Sequence, residues 1–170
     1  MDARLRAVEG ADDHVFLVAL HNDPAVLHNL THPQPITLAQ HVAWWARVVD
    51  DPKQLRQIYT ISGARVGCAK FYDIDEDNRS CVLGADIHKH YRGRGLARPL
   101  WTLMLDHCFD TLNLHRVSLT TASYNAVAQH VYTRLGFLVE GRQHAALLRD
   151  GVFHDVVCMY MLREMWRGKP

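Results

Sequence analysis

Seven residues constrain this chain more than any others: Tyr91-Arg92-Gly93-Arg94-Gly95-Leu96-Ala97, set between a β-rich run and a long apolar helical stretch. The first amides of a helix are unpaired and sit at the positive end of its dipole, so a strand-turn-helix junction attracts an anion such as a pyrophosphate. The glycines let backbone approach the phosphates, and Arg92 and Arg94 can add charge-assisted bonds. No Gly-Lys-Ser/Thr follows, and Arg98 stands where a dinucleotide fingerprint needs a third small residue, so neither nucleotide motif applies.

The flanking pattern predicts the rest of the architecture. Arg4 to Val8 reads as an opening strand, followed by a short helix after Asp12 and Asp13 that ends at Asn22-Asp23-Pro24. Thr37 is an N-cap for a second helix carrying His41, Trp44 and Trp45. Leu55 to Ile61 and Val66 to Ile74 form a hairpin about Ser62-Gly63-Ala64, and Cys81 to His88 is a third strand. A buried helix over Gly95 to Leu112, a strand over Arg116 to Thr121 and a helix over Asn125 to Leu135 stopped by Gly136 come next. Pro99 falls inside the first of these helices and removes one backbone donor near its start. Two last strands flank Asp150-Gly151. The order implies an α+β (mixed α/β) sheet with helices on its faces, in one domain over residues 1–170.

Composition narrows the class. At 48% hydrophobic the 170 residues can bury a continuous core, and 19 Lys+Arg against 18 Asp+Glu leave a formal charge of +1, which gives no field for nucleic acid or an anionic membrane. Cys68, Cys81, Cys108 and Cys158 make no CxxC pair and sit in apolar segments, as reduced thiols do. No run of about eighteen apolar residues and no signal peptide is present, so a cytoplasmic protein is expected. The chain has 12 His, but His88-x-His90 and His28-x-x-x-His32 lack a third ligand, and no metal is expected.

Arg92-x-x-Gly95-x-Ala97 resembles the acetyl-CoA motif of the GCN5-related N-acetyltransferases (GNAT), and Asn125 to Phe137 resembles that family's Asn-x-x-Ala-x-x-x-Tyr-x-x-x-Gly-Phe helix. The resemblance covers nearly the whole chain. It implies a mostly antiparallel seven-stranded sheet splayed between its fourth and fifth strands, and acetyl transfer from acetyl-CoA to a primary amine in a ternary complex. It also implies cofactor contacts from Ile87, Arg92, Gly93, Arg94, Gly95, Leu96, Ala97 and Asn125, with Tyr132 beside the CoA sulfur as general acid. Where many relatives carry a Glu base, this chain has Thr120, which accepts no proton at neutral pH. His41, Asp86 and His88 are the alternatives, histidine being suited by a pKa near 6.5.

For the acceptor, the C-terminal hairpin resembles both the ribosomal-protein N-terminal acetyltransferases and the amino-sugar N-acetyltransferases of the pseudaminic acid type. The His41 to Trp44, Phe71 to Asp75 and Phe109 to His115 segments look closer to the second, so a nucleotide-linked amino sugar is the preferred expectation. Trp44, Trp45, Phe71 and Tyr72 would stack on it, and Arg142 or Arg149 would meet its phosphate. A peptide N-terminus, met by Asp73, Asp75 and Glu76, or another small amine is the alternative, and a catalytically silent CoA-binding module is a second. An exposed strand edge would also allow a homodimer.

Overall fold

A computed structural model of the chain describes residues 2–168. Its elements run β1 (Ala3–Ala7), α1 (Gly10–His21), α2 (Pro24–Leu27), α3 (Leu38–Val48), β2 (Leu55–Ile61), β3 (Ala64–Asp75) and β4 (Ser80–Ile87). They continue with α4 (Ala97–Asp106), β5 (Arg116–Ala122), α5 (Ala126–Leu135), β6 (Leu138–Arg149), β7 (Val152–Leu162) and α6 (Arg163–Arg167). The seven strands form one sheet in the order β1-β2-β3-β4-β5-β7-β6, antiparallel except where β4 meets β5.

The local chemistry explains most boundaries. Thr37 closes a capping box with Gln40 at the start of α3, and Asn125 accepts from the Ala128 amide at the start of α5. Gly136, at φ +94°, ends α5 in the left-handed conformation that glycine adopts without strain. Two elements escape the sequence pattern: the one-turn α2, capped by Asp23, and the terminal α6. The helix expected from Gly95 begins at Ala97, and its last part, His107–Thr111, widens into a π-helical turn. Pro99 is the third residue of α4, within the first turn, where its missing N–H costs no internal bond.

Helices cover both faces. On one, Tyr59, Ala69, Phe71 and Leu83 pack against Leu100, Met104 and Leu105 of α4; on the other, Ile58 and Cys68 meet Leu17, Leu20 and Val26 of α1 and α2. Alternation along β2 and β3 divides neighbouring residues between these layers. The four cysteines are free, with Cys81 Sγ and Cys108 Sγ 3.7 Å apart in the core.

β4 and β5 are in register only from Ser80–Arg116 to Val82–Ser118 and then part. From Leu83 to Ile87 the β5-facing edge of β4 has no strand partner, and this gap positions the site. Within the described residues no helix is long and apolar enough to cross a membrane.

Candidate active site

The parting of β4 and β5 opens a cleft of about 770 Å³. β4 from Val82 to Ile87 forms one wall, Thr120 and Thr121 of β5 with Asn125 and Tyr132 the other, and Gly93, Gly95, Leu96 and Ala97 close one end. Gly93 and Gly95 adopt φ of +73° and +74°, and a Cβ added at either would meet nothing within 4 Å. Their amides and the open start of α4 make a concave nest for an anion.

Arg92 is more constrained than its motif suggests. Its Nε donates to the Ile87 carbonyl at 2.8 Å and its Nη1 to Asp23 at 3.0 Å, so it ties the end of β4 to the cap of α2. The remaining Nη2 is buried with no protein partner, an orphan donor that suits a ligand oxygen. The orphan donor and the glycine nest together fit a pyrophosphate-bearing cofactor. Arg94 lies over the Tyr91 ring at 5.7 Å and does not line the cleft.

The ring of Tyr132, from α5, meets Trp101 in a T-shaped contact, with centroids 4.8 Å apart. Burial holds its phenol above the usual range, and the charge of Asp86 adds to the effect. A second cavity of about 580 Å³ lies over the opposite side of β4, walled by α1, α3 and the segment Leu30–Ile36. Its floor is one face of the sheet: Arg56, Cys68, Lys70, Tyr72 and Asp86. Among the described residues only Leu30, Thr31, Lys70, Tyr72 and Asp86 line both spaces, so the two meet at the Lys70–Asp86 ion pair. Burial works against the Lys70 ammonium, but Asp86, helped by Tyr72 and Cys68, holds the amine above its usual value.

His41 lines the second cavity at 6% exposure, its Nε2 3.1 Å from Nδ1 of His14. Burial, reinforced by the charges of His14, Arg56 and His21, lowers its pKa to about 4, so the ring is neutral at pH 7. Trp44 and Tyr72 line the same cavity and flank Arg56, whose guanidinium carbon is 4.7 Å and 4.8 Å from their ring centroids.

Besides Arg94 and Trp45, four residues expected at the site line neither space. Phe71 is wholly buried in the core: it neighbours Tyr72 on a strand, and successive side chains face opposite ways. His88 packs on Phe16 and His90 and lines neither space. Arg142 sits 3.8 Å from Asp155 within the β6–β7 hairpin, away from both spaces. Arg149 is 8% exposed and donates through Nε to the His28 carbonyl at 2.8 Å, clamping that hairpin to the segment after α2. The acids weighed for a peptide amine, Asp73, Asp75 and Glu76, also line neither space, and Asp75 accepts from Asn78 in its own turn. Sequence reasoning missed Arg56, Lys70 and His14; the readable signal was a Lys standing on the Cys68–Lys70–Tyr72 alternation inside an apolar strand.

Comparison with known proteins agrees with this layout. Residues 3–138 match the family described as acetyltransferase (GNAT) domain. The putative ribosomal N-acetyltransferase YdaF of Bacillus subtilis (strain 168) is 28% identical over 125 residues, 74% of this chain and 68% of that protein. Spermidine N(1)-acetyltransferase of Vibrio cholerae serotype O1 is 33% identical over 104 residues, 61% of this chain and 60% of that enzyme, so this match spans less than two thirds of its length. A crystal structure of spermidine N-acetyltransferase from Vibrio cholerae in complex with CoA and spermine superposes with a TM-score of 0.91 at 26% identity, covering 97% of this chain and 98% of that one. The L-amino acid N-acetyltransferase AaaT of Escherichia coli (strain K12) is 30% identical over 150 residues, 86% of this chain and 90% of that protein.

Proposed function

The chain belongs to the GNAT acetyltransferases, enzymes that use acetyl-CoA, and from that premise we propose that it acetylates a primary amine where the cleft and the cavity meet at Lys70 and Asp86. The observation that carries this reading is the shared wall: a donor in the cleft and an amine in the cavity reach each other only there.

In this reading the nest at Gly93 and Gly95 holds the pyrophosphate, the free edge of β4 up to Ile87 takes the pantetheine arm, and Asn125 meets it from α5. The amine nitrogen attacks the thioester carbonyl, the C–S bond breaks, and the departing thiolate takes the phenolic proton of Tyr132. The high pKa of Tyr132 keeps that proton in place at neutral pH. The proton shed by the nitrogen passes to neutral His41 and through His14 to solvent, which supplies the base that Thr120 cannot.

The amino-sugar expectation finds no support in the relatives, whose names speak of ribosomal proteins, spermidine and L-amino acids. That range leaves the acceptor to the cavity itself.

The test is thiol release from acetyl-CoA with a panel of amines, on the wild type and on Tyr132→Phe. Replacing a general acid costs on the order of 10²-fold or more in kcat, with the KM for acetyl-CoA held within a few-fold. An unchanged kcat would remove Tyr132 from the proton transfer, and acetyl-CoA binding without release for any amine would favour the silent module.

A further inference from the structure

Among the described residues, the cavity over β2–β4 holds one cation, Arg56, that no carboxylate neutralises. Arg56 rises from β2 between the Trp44 and Tyr72 rings, and its Nη1 donates to the Tyr72 hydroxyl at 3.1 Å. Among the described residues no carboxylate pairs with it. The only acid among the described residues of the lining is Asp86, which Lys70 already engages, so those two charges cancel and the single positive charge of Arg56 remains. Of the other titratable side chains of the lining, His21, His32 and His41 carry no negative charge in either protonation state, burial pushes the Cys68 thiol up to about 11 and so keeps it neutral, and the Tyr72 hydroxyl is the group that accepts from Arg56.

We propose that Arg56 is an anion anchor, and that the acceptor is a primary amine carrying a carboxylate or phosphate rather than a polyamine. The proposal rests on the reading that this cavity receives the acceptor. Two aromatic faces hold the guanidinium plane, so little side-chain freedom is lost when an oxyanion docks on its remaining N–H groups, and a planar fork matches a carboxylate or phosphate better than a point charge does. A polyamine would bring further ammonium groups into a space that offers them no unpaired carboxylate and one like charge, so each would lose water without compensation. The fold is shared with spermidine acetyltransferases, but the lining of this cavity has the opposite character to a polycation site.

Two readouts separate the anchor from the enzymatic reading. Thiol release is measured with α-amino acids and their amides, with nucleotide-linked and free amino sugars, and with spermidine; equilibrium binding of the same amines is measured by calorimetry. The expected result is release and binding with the acids at a KM at least about tenfold below that of their neutral counterparts, and none with spermidine. Preference for amino acids over amides assigns the anion as carboxylate; preference for nucleotide-linked over free sugars assigns it as phosphate. Arg56→Met should raise the KM for the acid about 10- to 100-fold and abolish discrimination against the neutral counterpart, while acetyl-CoA still raises the Tm, which shows that the variant is folded. Arg56→Lys, which keeps the charge and loses the fork, should fall between. Equal use of acids and amides, efficient use of spermidine, or discrimination that survives Arg56→Met overturns the anchor. Arg56-dependent binding of the acids with no thiol release upholds the anchor and sinks the enzymatic reading.

Discussion

Asp13 shows how far a single side chain can be committed. It is fully buried near the start of α1, takes two bonds from Arg6, one from Arg65 at 2.5 Å and one from the Glu9 amide, and so ties β1, α1 and β3 together. The Arg6 bond, against the opposing effect of burial, drives its carboxyl well below the usual range. A carboxyl whose folded pKa is depressed contributes stability above its unfolded pKa, near 4, and loses it as the pH falls toward the folded value. The wild-type Tm is therefore expected to drop progressively below about pH 4. Asp13→Asn should lose about 3 kcal/mol at neutral pH, where two guanidinium groups lose their anion, and show a flatter Tm profile below pH 4. Equal slopes for the two proteins in thermal melts would contradict this. His41 acts at higher pH with the same sign: its folded pKa of about 4 lies under the usual 6.5, so the stability of keeping it neutral is full above 6.5 and fades as the pH falls toward 4.

At the scale of elements, the close approach of β3 to β4 is what sets Asp86 in the shared wall. Gly67 pairs with Ile87, and a methyl group there would run into the Asp86 carbonyl, which is backbone and cannot swing away. Gly67→Ala is expected to cost about 1–3 kcal/mol in chemical denaturation and to lower kcat by displacing β4; an unaltered kcat would mean that the strand absorbs the methyl without moving Asp86. The elements were mostly legible in the sequence, because caps and turns act locally: Thr37, Asn125, Gly136 and Asp150-Gly151 do what their residue types dictate. The glycine nest was legible for the same reason. What the sequence hid is what only tertiary pairing creates. Arg56 and Lys70 are directly paired residues on neighbouring strands, yet fourteen positions apart in the chain, and nothing local says that one is stacked and the other bonded to Asp86. Arg149 misled in the opposite way, since its hairpin position suggested a ligand while its Nε and Nη1 are held by the His28 and Leu148 carbonyls, outside the lining of both spaces. The one-turn α2 has too few residues to show a period, and its single cue, Asp23 before Pro24, reads equally as the end of α1.

At the scale of the molecule, one sheet is shared by two spaces that, among the described residues, have only Leu30, Thr31, Lys70, Tyr72 and Asp86 in common, the remaining walls coming from different helices. Steady-state inhibition should reflect this division. Free CoA is expected to be competitive toward acetyl-CoA and non-competitive toward the amine, and the acetylated product to be competitive toward the amine alone; CoA competing with both would mean that the two spaces act as one. If the donor occupies the cleft and the amine the cavity, as proposed, neither leaving molecule has to pass through the room of the other, and a crowded pool of one product need not stall the departure of its companion.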